Sequence, residues 1–142
     1  MRAKEYLKQY RRIVYEIENL DREIEELEER ITSVRSTIGD GMPHSPNPSS
    51  NLDRLIPALV DMKRRKEALK TTAEWRRLQI EGNIDRVGDP IYCRLLRDKY
   101  IRLMQWYDIT QDLNLKSVEY VRGKLHRRAL EAMDAAIGEL ES

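Results

Sequence analysis

Between Lys116 and Arg128 the chain reads KSVEYVRGKLHRR, and the chemistry open to such a stretch is to grip a polyanion. Ser117 suits an N-cap, so a helix is expected to start there. At 100° per residue, Val118, Val121, Leu125, Ala129 and Ala132 fall on one face. Tyr120, Gly123, Lys124 and Arg127 fall opposite, with Glu119 and Arg128 on the flanks. A helix of this kind lays its polar face in the major groove, where cations meet phosphate and the first residues meet base edges. Phosphate contacts are expected from Lys116, Arg122, Lys124, Arg127 and Arg128, and base reading from Ser117, Tyr120 and Lys124. The surrounding segment 94–128 holds nine bases against four acids, a local net of +5 in a chain whose formal total is +1.

Other chemistries find little to work with. No glycine-rich phosphate loop and no Ser/His/Asp or Cys/His arrangement is evident, so no catalytic residue and no cofactor are expected. His44, His126 and Cys93 are too far apart in sequence to read as a metal set. Cys93 is expected to be a buried structural thiol, and a single cysteine suits a reducing cytoplasm. His126 is expected to touch phosphate or point to solvent. Trp106 is expected to plug a small core, Trp75 to pack on a helical hairpin, and Tyr92 and Tyr100 to be core residues. No run of about 18 apolar residues exists, so no membrane span is expected. The start, MRAKEYLKQYRR, lacks the apolar stretch of a signal peptide.

Long helices are expected to carry the segment. Tyr6, Tyr10, Ile13, Ile17, Leu20, Ile24, Leu27, Ile31, Val34 and Ile38 recur at alternating steps of four and three. That predicts a coiled-coil helix over 2–38, about 55 Å long at about 1.5 Å per residue, closed by Gly39. Residues 39–50, GDGMPHSPNPSS, read as a flexible loop. A second series, Leu55, Leu59, Met62, Leu69, Ala73, Ile80, Ile84 and Val87, predicts a second helix. Ser50 or Asn51 would cap it, Pro57 would kink or delay it, and Gly88 would close it. Residues 16–29 carry a net charge of −7 and residues 63–70 a net of +4. Folding the chain back near residue 45 brings position i onto 90−i and the acidic block onto the basic one. The basic start of the chain then falls near Glu81, Asp85 and Asp89. An antiparallel hairpin over 1–88 follows, with a dimer of hairpins as the alternative use of the heptads. Asp89-Pro90 reads as an N-cap and first helical residue. It opens a second region, 89–142, in which a short helix bearing Trp106, Ile109 and Leu113 turns at Asn114-Leu115 into the basic helix.

Trp106-Tyr107-Asp108-Ile109-Thr110 through Leu113, then Leu115, Val121 and LHRRAL (125–130), resemble region 4 of bacterial sigma factors. With a hairpin ahead of this unit, the chain resembles small phage-encoded late transcriptional regulators of the ArpU/RinA type. Three departures are visible. Asn114 stands where the turn usually has glycine, Thr110 where it has a small alanine, and the stretch from Leu115 to Val121 is one residue longer. Ser117, Glu119 and Tyr120 therefore remain alternatives for the residue that meets a base. The resemblance implies an all-α fold with a C-terminal helix-turn-helix. It also implies sequence-directed binding of duplex DNA in control of phage or prophage genes, in a bacterial cytoplasm, with RNA polymerase as a further partner. Two other functions suit the same elements: DNA packaging, as in a terminase small subunit, and a coiled-coil adaptor with no nucleic-acid partner.

Overall fold

A computed structural model describes residues 2–39 and 48–141, with side chains described for 2–36 and 52–138. Among the described residues all regular structure is helical, and no helix is long and apolar enough to cross a membrane. Two long helices, α1 (Arg2–Gly39) and α2 (Pro48–Asp85), come first. They are followed by α3 (Pro90–Tyr100) and α4 (Trp106–Asp112). The last run comprises α5 (Val118–Tyr120), a π-helical turn (Val121–Leu125) and α6 (His126–Glu141).

The heptad series does what its spacing predicts. Leu20, Ile24, Leu27 and Ile31 are buried, and Tyr6, Tyr10, Ile13, Ile17 and Val34 are part-buried. Ile38 lies outside the described side chains. The long helices run antiparallel, and charge shows the register. Lys63 Nζ lies 3.3 Å from Glu28 Oε1, and Lys66 pairs with Asp21. The i to 90−i match expected positions 62 and 69, so the pairing holds to within one to three residues. Near the termini the Asn83 amide donates to the Tyr6 hydroxyl. Glu81, Asp85 and Asp89 find partners close along the chain: Arg77, Arg97 and the start of α3.

Several expectations change. The interhelical loop expected over 39–50 overlaps helix at both ends, because α1 reaches Gly39 and α2 begins at Pro48. Neither Ser50 nor Asn51 is then a cap, and residues 40–47, with His44, lie outside the described residues. Pro57 neither ends nor delays α2. It lies inside the helix, nine residues from the start. Trp75 does not pack on the hairpin. It is 58% exposed, with Leu78 beside it at 61%, because the inward stripe of α2 runs through Ala73, Ile80 and Ile84.

The described chain forms two compact units, one of residues 14–72 and one of residues 1–13 with 73–142. The division does not follow the boundary drawn at residue 88. The second unit has one core, to which α1 gives Ala3 and Leu7 and α2 gives Ile80 and Ile84. Cys93, Leu95, Leu96 and Tyr100 of α3 with Ile101 just after it, Ile109 of α4, and Val121, Leu125, Ala129, Leu130 and Met133 of the last run complete it. An apolar stripe of α3 cannot stay in water, and the ends of the long helices supply the cover that α4 and α6 leave incomplete.

Candidate nucleic-acid interface

The basic helix is placed by three local devices. Asp89 Oδ1 accepts from the backbone amides of Ile91 and Tyr92 at 2.9 and 3.1 Å, which starts α3 at Pro90 as the sequence suggests. Asn114 takes φ 58°, the left-handed backbone that the turn requires and that asparagine tolerates. There the Leu115 amide bonds to the Thr110 carbonyl at 3.0 Å. Ser117 then caps the next helix, its Oγ accepting from the Tyr120 amide at 3.1 Å. Thr110 fits a close approach despite its size: it is 2% exposed and its hydroxyl donates to the Trp106 carbonyl at 2.8 Å.

Val121 and Leu125 turn inward on this run, and Val118 is part-buried. Beyond them the inward residues are Ala129, Leu130, Met133 and Ala136, while Ala132, expected on the core face, is only part-buried. The π-turn at 121–125 explains the shift. It takes one residue more per hydrogen-bonded turn than an α-helix, so everything after it lags the 100° wheel by about one position.

Lys116, Ser117, Tyr120, Arg122, Lys124, Arg127 and Arg128 are all exposed. None of the five cations makes an ion pair among the described residues. The cations of α3 and its C-terminal turn behave differently. Arg94 donates to both carboxylate oxygens of Asp112, at 2.9 and 3.0 Å. Arg97 pairs with Asp85 and Arg102 with Asp98. The excess positive charge counted over 94–128 is therefore presented mainly by the last helical run.

Those internal pairs form one network. Asp98 is wholly buried. Burial and a hydrogen bond with Asp112 push its carboxyl up to about 6, against the opposing effect of Arg102. The same bond with Asp98, together with Arg94, holds Asp112 below the ordinary carboxylate range. The Arg94–Asp112 ion pair ties the end of α4 to α3.

The chain matches no protein-family model, no curated protein and no solved structure. What the surface can bind is therefore argued from its residues. Gly123 adds to the picture. Its backbone is not in the left-handed region, and a Cβ there would meet nothing within 4 Å. Nothing in the fold asks for glycine, which costs about 1 kcal/mol in a helix interior. The result is a bare patch of backbone among Tyr120, Lys124 and Arg127.

Two residues stand apart from their expected places. His126 does not stand free in solvent but is part-buried. Its Nε2 lies 2.7 Å from the Tyr100 hydroxyl, and its ring meets Trp106 edge-on at 4.7 Å. Burial first, then Lys4 and Lys99, push its pKa down to about 4. Trp106 is part-buried against this histidine and the core, and Lys99 Nζ sits 4.6 Å over its other contact surface. Lys99 had no local signature in the sequence, since only the fold brings it to Trp106. Tyr100 is buried, Tyr92 is part-buried, and Cys93 is buried with its thiol 3.2 Å from the Ile84 carbonyl, as expected. Among the described residues no group of three or more His, Cys, Asp or Glu could hold a metal ion.

Proposed function

We propose that the protein binds duplex DNA through the two-helix unit of 106–128, a helix-turn-helix, and acts in transcription control. The regulated genes are those of a phage or prophage, as the sigma-like stretch implies. One observation carries the proposal: the five cations of 116–128 are exposed with no acidic partner among the described residues, around a glycine that the fold does not need. A solvated helix usually answers its cations with acids three or four residues away, as α2 does with Glu74, Arg77 and Glu81. A helix that docks on phosphate leaves them unanswered. Ser117 and Tyr120 sit at the head of the same surface, where groove-reading residues lie.

The test is fluorescence anisotropy on labelled duplexes across a range of salt. Lys124→Ala and Arg127→Ala should each weaken binding to every sequence and lower the salt slope by about 0.9. Tyr120→Ala should relax sequence preference more than it weakens non-specific binding. Gly123→Ala should raise the melting temperature, since alanine stabilises a helix by about 1 kcal/mol over glycine, yet weaken DNA binding. Intact affinity and slope in the Lys124/Arg127 double variant would remove this helix as the DNA-binding element.

A further inference from the structure

Where α3 meets α4, the second unit holds a cleft of about 550 Å³. Sites that take small molecules fall in this size range. Arg94, Asp98 and Arg102 line it at steps of four along the chain, with Arg97 beside them, and Asp112 lines it from α4. Cys93 and Met104 add apolar surface. The arginines are not free. Arg94 donates Nε and Nη2 to Asp112 at 2.9 and 3.0 Å, Arg97 pairs with Asp85, and Arg102 pairs with Asp98. Three cations thus meet three carboxylates, and the cleft favours neither a net anion nor a net cation. Each guanidinium nonetheless has donors to spare, because it carries five N–H groups. Arg94 and Arg102 are also exposed side chains, which change rotamer without any movement of the backbone.

One atom in this cleft is left over. Asp98 is wholly buried, its Oδ1 accepts from Arg102, and its Oδ2 meets no donor among the described residues. Asp112 cannot supply one while both acids are ionised, because a charged carboxylate only accepts. A buried acceptor without a donor destabilises the fold that contains it. A molecule that brings a charged donor to Oδ2 relieves that cost. The balance of charge asks the same molecule to bring an anionic group to the arginines. An ammonium beside a carboxylate is the compact chemistry that does both. We propose that the cleft between α3 and α4 binds a free α-amino acid, its ammonium donating to Asp98 Oδ2 and its carboxylate accepting from spare N–H groups of Arg94 and Arg102. This site stands apart from the candidate DNA-binding surface, since it uses none of residues 116–128.

The experiment uses the full chain. Its melting temperature is followed with the common α-amino acids, added singly at millimolar concentration, and with methylammonium and acetate as probes of the two halves. At least one amino acid should raise the melting temperature in a saturable way, since a ligand of the folded state stabilises it. Methylammonium and acetate should give no shift at the same concentration. Calorimetry with the amino acid that binds then reads Kd. Asp98→Asn and Arg102→Gln should each weaken binding about tenfold or more, as loss of a charge-assisted bond does. Wild-type affinity should rise about tenfold from pH 5 to pH 7, because a proton on Asp98, whose carboxyl is raised to about 6, competes with the ammonium. Arginine does not titrate, and Asp112 is held low by Asp98 and Arg94, so neither masks that rise. Asp98→Asn should abolish it. If Asp98→Asn does not fold, Arg102→Gln, whose side chain is exposed, carries the test with the wild-type pH dependence. Absence of a shift with every amino acid overturns the site. So does wild-type affinity in the folded variants, or a shift with methylammonium as large as that with the amino acid.

Discussion

His126 and Asp98 give the protein opposite responses to acid. The histidine is buried neutral at about 4, below its unfolded value near 6.5. Its protonation favours the unfolded chain, so stability is whole above pH 6.5 and falls as pH drops toward 4, by about 3 kcal/mol at most. Asp98 has the reverse sign. Its folded carboxyl is raised to about 6, so its contribution is complete below pH 4 and is lost as pH rises through 6. In urea melts, His126→Gln should remove the decline between pH 6.5 and 4 and leave stability rising toward acid. Asp98→Asn should leave only the decline. Equal pH profiles in wild type and His126→Gln would show that folding does not depress the histidine's pKa. Asn114 offers a second check. Asn114→Ala should cost about 1–2 kcal/mol because of its left-handed backbone, while Asn114→Gly should be tolerated.

At the scale of elements, the hairpin is set by apolar seams and tuned by charge. Of the basic block, Lys63 and Lys66 reach acids on α1, and the bond to Asp21 raises the Lys66 ammonium above its ordinary value. Arg64 and Arg65 are exposed and make no such contact. Reversing Lys63 and Lys66 to Glu should lower the melting temperature at low salt, with partial recovery at high salt. The same reversal at Arg64 and Arg65 should change it little. Similar melting of both double variants at low salt would argue against cross-helix pairing of these blocks. The π-turn belongs to this scale as well. It re-aims α6 so that Leu130 and Met133, rather than Ala132, complete the core.

At the scale of the whole molecule, the second unit depends on both ends of the hairpin. Ala3, Leu7, Ile80 and Ile84 are buried against α3 and α6 residues, so the C-terminal region lacks part of its core when cut free at residue 88. A fragment of residues 89–142 should show no cooperative thermal transition, whereas the full chain should. A sharp transition in the fragment would show that the region folds without the ends of α1 and α2. Within the full chain, Met133→Ala should cost about 2–5 kcal/mol, because Met133 is wholly buried where the last helix meets the core.

Much of the architecture was legible because it rests on local rules. Heptad spacing, opposed charge blocks, the Asp89-Pro90 start, the Asn114 turn and the Ser117 cap each depend on neighbours a few residues away or on one long regular pairing. The exposed cations at 116–128 were legible for the same reason: amphipathic spacing separates a helix's wet face from its dry one. The tertiary structure decided what depends on distant partners. Arg94, Arg97 and Arg102 counted toward a basic surface until carboxylates at 85, 98 and 112 were seen to engage them. His126 looked like a surface residue on a regular wheel, but packing against Tyr100 and Trp106 draws it inward at the end of the π-turn. Trp75 is large and apolar, yet its side of α2 has no facing element in its own unit to cover it. The bond from the Ala3 amide to Asp134 could not be read from the chain at all, since 131 positions separate them. Only the shared core around Leu7, Ile84 and Leu96 brings those groups together.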